Sequence, residues 1–316
     1  MSKLSISELK AFTKTYVDAA KQAGAWNATT QNFVGLLDKI GKIVSINQNY
    51  EDKLPELDSE DLNLGRTIEE YMIALTMPED FGEGENCLAP ALPAIEDVAY
   101  SYDLGRKVIK TTVPYGNIEK ACLTSENASN ILAQIMERLE QSASLYRYQI
   151  KKQAIGNFID KAITAGRVEA IAKPVDTETG EAFIKQVKND IEEASFASEN
   201  TSLSGALIGS VPELTLYVNK QVLPSLQVDT LSGAFNKDEL AVNCKIKVLD
   251  DFGTLGAGNE KTFAVLVDPR GIRVHNNYRA VRENLNGEGD FLNVFRHESD
   301  TVFLSKFTYV KAYKAN

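Results

Sequence analysis

Of the ten arginines in this 316-residue chain, five (Arg270, Arg273, Arg279, Arg282 and Arg296) fall in one stretch near its end. Arginine presents a planar fork of donors that pairs bidentately with carboxylates or phosphates. Each copy carries 44 Asp+Glu against 34 Lys+Arg, so carboxylates in the chain or on a neighbouring copy are the first partners expected, with phosphate the sharper alternative. The acids themselves cluster twice, as Asp58, Glu60 and Asp61, and as Glu79, Asp80, Glu83 and Glu85. Neither cluster has the spacing of a calcium-binding helix–loop–helix. A solvated face or a charge contact between subunits is the reading for both.

Other chemistry is thinly supplied. Gly253-Thr254-Leu255-Gly256-Ala257-Gly258 has the glycines of a phosphate loop, with Lys261-Thr262 beyond. A phosphate loop needs its lysine directly after the last glycine and a helix behind it. Here Asn259 and Glu260 intervene and the apolar run Phe263–Val267 follows, so a flexible loop between two strands is expected. There are two histidines, His275 and His297, and three cysteines, Cys87, Cys122 and Cys244, with no paired-cysteine motif, no serine-hydrolase elbow and no zinc-protease motif. The residue set therefore points to no cofactor, no metal and no catalytic centre.

Net charge of −10 argues against binding nucleic acid over a broad basic surface, and 43% apolar with 25% charged residues is the balance of a globular chain. No apolar run approaches the ~20 residues of a membrane span, and Met1–Phe12 lacks a secretory pattern. A soluble protein made in the cytoplasm, without membrane contact, is expected.

The elements that must position these residues read as α+β, without the alternation of a βαβ sheet. Leu9, Phe12 and Tyr16, then Phe33, Leu36, Leu37, Ile40, Ile43 and Val44, mark two N-terminal helices. An acidic, irregular stretch follows over 47–65. Arg66–Leu75 reads as strand or short helix, the Pro/Gly-rich stretch 78–94 cannot be a long regular element, and Lys107–Val113 reads as strand. A two-stranded excursion bracketing 66–120 is the simplest account. A proline-free helix runs from Ser125 to about Ala165, with Ile131, Ile135, Leu139, Tyr146, Ile150, Ala154 and Phe158 near one face. Thr124 or Ser125 can cap it, Gly166 can end it and Gly156 can kink it. At 1.5 Å per residue it is ~60 Å long, a spine more than a core helix. After a turn at Val175–Glu181 a second helix spans 181–196 on Phe183, Val187, Ile191 and Ala194. Strands are expected at Leu214–Val218, Cys244–Leu249, Phe263–Val267 and Ile272–His275, with an extended aromatic end from Asp290.

This order of elements resembles the major capsid proteins of tailed bacteriophages, which have the Hong Kong 97-like fold that encapsulins share. Phe33–Leu75 (FVGLLDKIGKIVSINQNYEDKL, then LGRTIEEYMIAL) is similar to the start of head proteins from phages of Gram-positive hosts. Pro212–Asn236 (PELTLYVNKQVLPSLQVDTLSGAFN), Phe263–Val274 and Phe291–Tyr313 are similar to the axial-domain strand–turn–helix and the closing region. The resemblance implies a helical arm over 1–59, an extended loop over 60–120, a peripheral domain with the spine over 121–180, an axial domain over 181–285 and closing peripheral strands over 286–316. It implies a non-enzymatic subunit that assembles with itself as pentamers and hexamers into an icosahedral head around double-stranded DNA. Portal and scaffolding proteins would be partners, packaged DNA would be touched weakly and non-specifically, and the product would reside in the virion. The acidic residues Glu79, Asp80, Glu83 and Glu85 and the five arginines become candidate intersubunit contacts. No built-in scaffolding leader before Met1 is expected. Lys107, Lys110 and Lys120 lie where some relatives crosslink, but without assignable partners no crosslink is expected. The alternatives are an encapsulin-type compartment and an acidic α+β enzyme.

Overall fold

A computed structural model describes residues 50, 52–62, 67–73, 95–100, 103–114, 125–196, 202–204, 211, 213–222, 244–289 and 291–316. The expected N-terminal helices and Glu79, Asp80, Glu83 and Glu85 lie outside them. The chain divides into two compact units, each made from separated stretches. One is built on Gly105–Tyr148 and Tyr278–Ser299, the other on Leu54–Leu104, Gln149–Asn277 and Asp300–Asn316.

The second unit holds a five-stranded mixed sheet. Its strands are β4 (Val168–Ile171), β5 (Leu214–Asn219), β6 (Cys244–Leu249), β7 (Thr262–Val267) and β10 (Val310–Ala315), in the order β4-β10-β7-β5-β6. β5 and β6 run parallel from the pair Leu214↔Cys244, β7 is antiparallel to both β5 and β10, and β10 is parallel to β4. All six residues of β7, TFAVLV, are buried, the pattern of a strand covered on both faces. Helix α2 (Thr177–Ala194) supplies Phe183, Ile184, Val187 and Ala194 to the core, with Phe183 edge-on to Phe263 and Tyr313, ring centres 5.3 Å apart in each case. This helix starts earlier than its apolar stripe indicates. Asp176 accepts from the Thr179 amide at 2.9 Å while the Thr179 hydroxyl accepts from the Asp176 amide at 3.2 Å, a reciprocal cap inside what reads as a turn.

Helix α1 is one element from Ser125 to Thr164. Its end is closed as the sequence indicates. Gly166 has φ +74°, the Arg167 amide bonds the Ala162 carbonyl at 2.8 Å and the Gly166 amide bonds Ile163 at 3.0 Å, which is the Schellman arrangement. Gly156 serves close approach: a Cβ there would lie 2.2 Å from the Phe252 carbonyl oxygen.

β3 (Asp103–Pro114), β9 (Phe291–Leu304) and β8 (Ile272–Asn286) form a three-stranded sheet in the order β3-β9-β8, and their stretches 105–114, 278–286 and 291–299 belong to the first unit. In the second unit, β1 (Ile68–Ile73) pairs with β2 (Ile95–Tyr100), antiparallel from Ile68↔Tyr100 to Ile73↔Ile95. The two-stranded excursion is thus closed by 95–100, and the Val/Ile/Thr-rich stretch 107–113 belongs to the three-stranded sheet. β2 is hidden in the sequence because Glu96 and Asp97 stand side by side in IEDVAY, one on each face, and break the apolar alternation.

Candidate subunit contact surfaces

The ribbon β1–β2 is a sheet of only two strands, which is marginal by itself and needs packing against another element to be stable. One face is secured at its base. Tyr100 donates to Glu70 at 2.8 Å, accepts from the Lys306 amide at 3.0 Å and stands edge-on to Phe303, ring centres 5.0 Å apart. Burial and the Glu70 carboxylate push its phenol well above the usual range. The register puts Tyr71, Ile73 and Ile95 on the opposite face, 73%, 56% and 60% exposed. Large apolar side chains grouped on one exposed face mark a surface that a partner covers.

The first acidic cluster has an internal role that its composition did not disclose. Residues 58–62 lie along the start of β8, with the Ser59 amide on the Val274 carbonyl at 3.0 Å and the Leu62 amide on Asn276 at 2.9 Å. Asp58 is the counter-ion of Lys151, whose ammonium is fully buried and 2.8 Å away. A buried lysine on a helix face is a signal that apolar periodicity overlooks, because its stem packs like an aliphatic chain.

The glycine loop between β6 and β7 is pinned. Asp160 of α1 accepts from the Gly256 amide at 2.8 Å and the Asn259 side chain at 2.7 Å, and Gln153 exchanges two bonds of 2.9 Å with Thr254. Lys152 pairs with Asp250 and Asp251 at 3.2 and 2.9 Å. Burial opposes its charge, but bonds to Asp251 and Asp250 hold its pKa above the ordinary value. The Asp160 carboxylate already occupies the Gly256 amide that a phosphate would need; the segment is the loop between two strands that the sequence indicates, and these bonds fasten it to α1.

The five arginines separate. Arg270 forks onto Asp268 two residues back, Nη2 to Oδ2 at 2.7 Å, with its side chain 64% exposed; that bond outweighs desolvation and raises its pKa. Arg273 donates to the Glu56 carbonyl at 3.0 Å. Arg296 is buried between Glu298, at 2.9 Å, and Glu140 of α1, while Arg279 lies 3.6 Å from Glu298. Arg282 reaches the Tyr278 hydroxyl at 3.4 Å. In-chain partners therefore take up Arg273, Arg279 and Arg296 foremost, and Arg270 and Arg282 keep most of their surface in solvent.

One buried polar centre escaped the sequence reading. Asp190 of α2, 1% exposed, accepts from Lys311 at 2.7 Å, Tyr313 at 2.6 Å and Gln186 at 3.0 Å, and its carbonyl accepts from Tyr309 at 3.3 Å. Burial, then the Asp190 charge, drives the Tyr309 and Tyr313 phenols far up. Burial likewise pushes the Cys244 thiol up to about 12. Among the described residues no group of three His, Cys, Asp or Glu is placed to hold a metal, and no helix is long and apolar enough to cross a membrane.

Ribbon, long helix and two sheets together make a phage capsid fold. The structure matches a chain of the capsid of Staphylococcus phage Andhra with TM-score 0.69 and 14% identity over 88% of both chains. It matches one from the mature capsid of bacteriophage PhiM1 with TM-score 0.59 and 14% identity, over 87% of this chain and 90% of that one. The family model for the Phi29-like phage major capsid protein matches residues 2–312, and the chain belongs to that family. It is 23% identical to the major capsid protein of Bacillus phage B103 over 95% of this chain and 69% of that protein, and 21% identical to that of Bacillus phage PZA over 89% and 63%. It thus spans about two thirds of the length of these two relatives. The tailed-phage resemblance holds: this is a virion component whose copies form a shell.

Proposed function

We propose that the chain builds a Hong Kong 97-like head, its copies joining as pentamers and hexamers into an icosahedral shell around double-stranded DNA. It works as a structural subunit without catalysis, is made in the host cytoplasm, and meets portal and scaffolding proteins during assembly. The family assignment favours this reading over an encapsulin compartment or an acidic enzyme. The ribbon carries it: a two-stranded sheet presenting Tyr71, Ile73 and Ile95 to solvent needs a cover, and a neighbouring copy around a rotation axis supplies one. Contacts of that head-to-tail kind close into rings, and many modest contacts add across a shell. Glu79, Asp80, Glu83 and Glu85, between the ribbon's strands in sequence, and the exposed Arg270 are its candidate charge contacts.

Deleting Phe81–Ala91 tests it. Circular dichroism and sedimentation velocity should show folded subunits, and negative-stain electron microscopy should show no closed shells where the wild type, expressed alike, forms them. Shells in normal yield would remove the ribbon from assembly.

A further inference from the structure

The three-stranded sheet has two unlike faces. Along β9, Leu292, Val294, Arg296 and Glu298 are buried, and Arg296 pairs with Glu140 of α1. Phe291, Asn293, Phe295 and His297 alternate to the other side and are half exposed. Contacts assign the neighbouring strands to that open side. Thr112 donates to Asn293 at 2.7 Å, so alternation brings Lys110 and Arg106 with it; the Arg106 guanidinium lies 4.4 Å over the centre of the Tyr278 ring. Arg282 shares the side through the Tyr278 hydroxyl. The open face therefore carries Arg106, Lys110 and Arg282 around Tyr278, Phe295 and His297, and no Asp or Glu. Glu283 and Glu298 alternate to the opposite face. In a chain of net charge −10, a sheet face clear of carboxylates is a local reversal of sign. Among the described residues none of these three cations makes an ion pair.

We infer that this face meets the phosphodiester backbone of the enclosed duplex. The inference rests on the reading of the shell as a DNA container and names the surface that touches the contents. Tyr278 holds two guanidiniums on one ring, one by stacking on its face and one by its hydroxyl, so both forks are set before a phosphate arrives. Three cations give a weak contact per copy, with a salt slope of about −2.7 for duplex; repetition over a shell makes it effective without gripping. An acidic segment of a neighbouring copy is the competing occupant, and lost shell formation with duplex binding intact would reveal it.

The test is fluorescence anisotropy of a labelled 20-base-pair duplex and of a single strand of the same length, titrated with the full chain across NaCl concentrations. The double variant Lys110→Ala/Arg282→Ala should bind duplex about tenfold more weakly at low salt and reduce the slope by about 2. Lys110→Gln alone, a solvent-exposed change, should reduce it by about 1 should the double variant not fold. An unchanged slope overturns the inference. So does a much tighter single strand, which would make the face a base-stacking surface, and so does lost shell formation with duplex binding intact, which would make it a subunit contact. Unassembled wild-type subunits that fail to bind duplex at low salt, yet go on to form shells, would sink this inference alone and leave the shell reading in place.

Discussion

The five-stranded and three-stranded sheets treat polar groups in opposite ways. In the first, β7 is buried along its whole length and the one buried carboxylate of α2, Asp190, is ringed by three donors. In the second, β9 alternates over Phe291–Glu298, where only its helix-facing side is closed, by the Arg296–Glu298–Glu140 group, before Ser299–Leu304 is buried throughout. A closed sheet concentrates its energy in satisfied polar centres and packing. An open one keeps cations available for something outside the chain. Substitutions in the first should therefore cost stability, and in the second, interactions.

Asp190→Ala is the strongest way to break that contrast. It strands the Tyr313 hydroxyl and takes the nearest carboxylate from Lys311, which keeps only Glu169 and Glu193 at 3.9 Å, and should lower unfolding stability of the unassembled subunit by about 2 kcal/mol in urea titration. A loss below about 1 kcal/mol would mean the centre is not a fastening between α2 and β10. Gly156→Ala comes next. The added methyl meets the Phe252 carbonyl, so overpacking of about 1–3 kcal/mol outweighs the helix-propensity gain of about 1 kcal/mol, and thermal unfolding should occur at lower temperature.

Alkaline titration sharpens the comparison further. Tyr309 and Tyr313 have raised pKa values in the folded state, first through burial and then through Asp190. Below the unfolded value of about 10 both states hold the proton and this stability is fully present. Above it only the unfolded state ionises, so stability falls as pH rises. Tyrosinate absorbance of these two residues should appear with unfolding and not before it; early ionisation in the folded subunit would contradict their burial. The smallest effect belongs to the open face: Lys110→Ala and Arg282→Ala should each change subunit stability by less than about 0.5 kcal/mol. A larger loss would show that the face is packed.

Much of the architecture was legible where a local rule applies. The long helix and its glycine stop follow from periodicity and from the left-handed conformation that Gly166 adopts. Strand β6 is where its apolar run places it, and β7 is one residue longer than its run. The start of α2 was missed because an aspartate–threonine cap looks like a turn, and β2 because the two adjacent acids Glu96 and Asp97 mask its period. Of the arginine cluster, the residue types were legible but their partners were not. Arg270 binds a carboxylate two positions away, whereas Arg296 reaches Glu140, more than 150 positions back, and nothing in local spacing separates these cases.

By itself the sequence determined the α+β class, the spine, the absence of a hydrolase motif and the resemblance to phage head proteins, because composition, periodicity and caps act over a few residues. Only the tertiary structure decided that Lys151 meets Asp58, that Asp190 ties α2 to β10, that a glycine loop is fastened by Asp160, and that three cations gather on one carboxylate-free face. Those outcomes depend on which distant segments the chain brings into register, and pairings over such separations are set by the packing of whole sheets and helices, which no local pattern encodes.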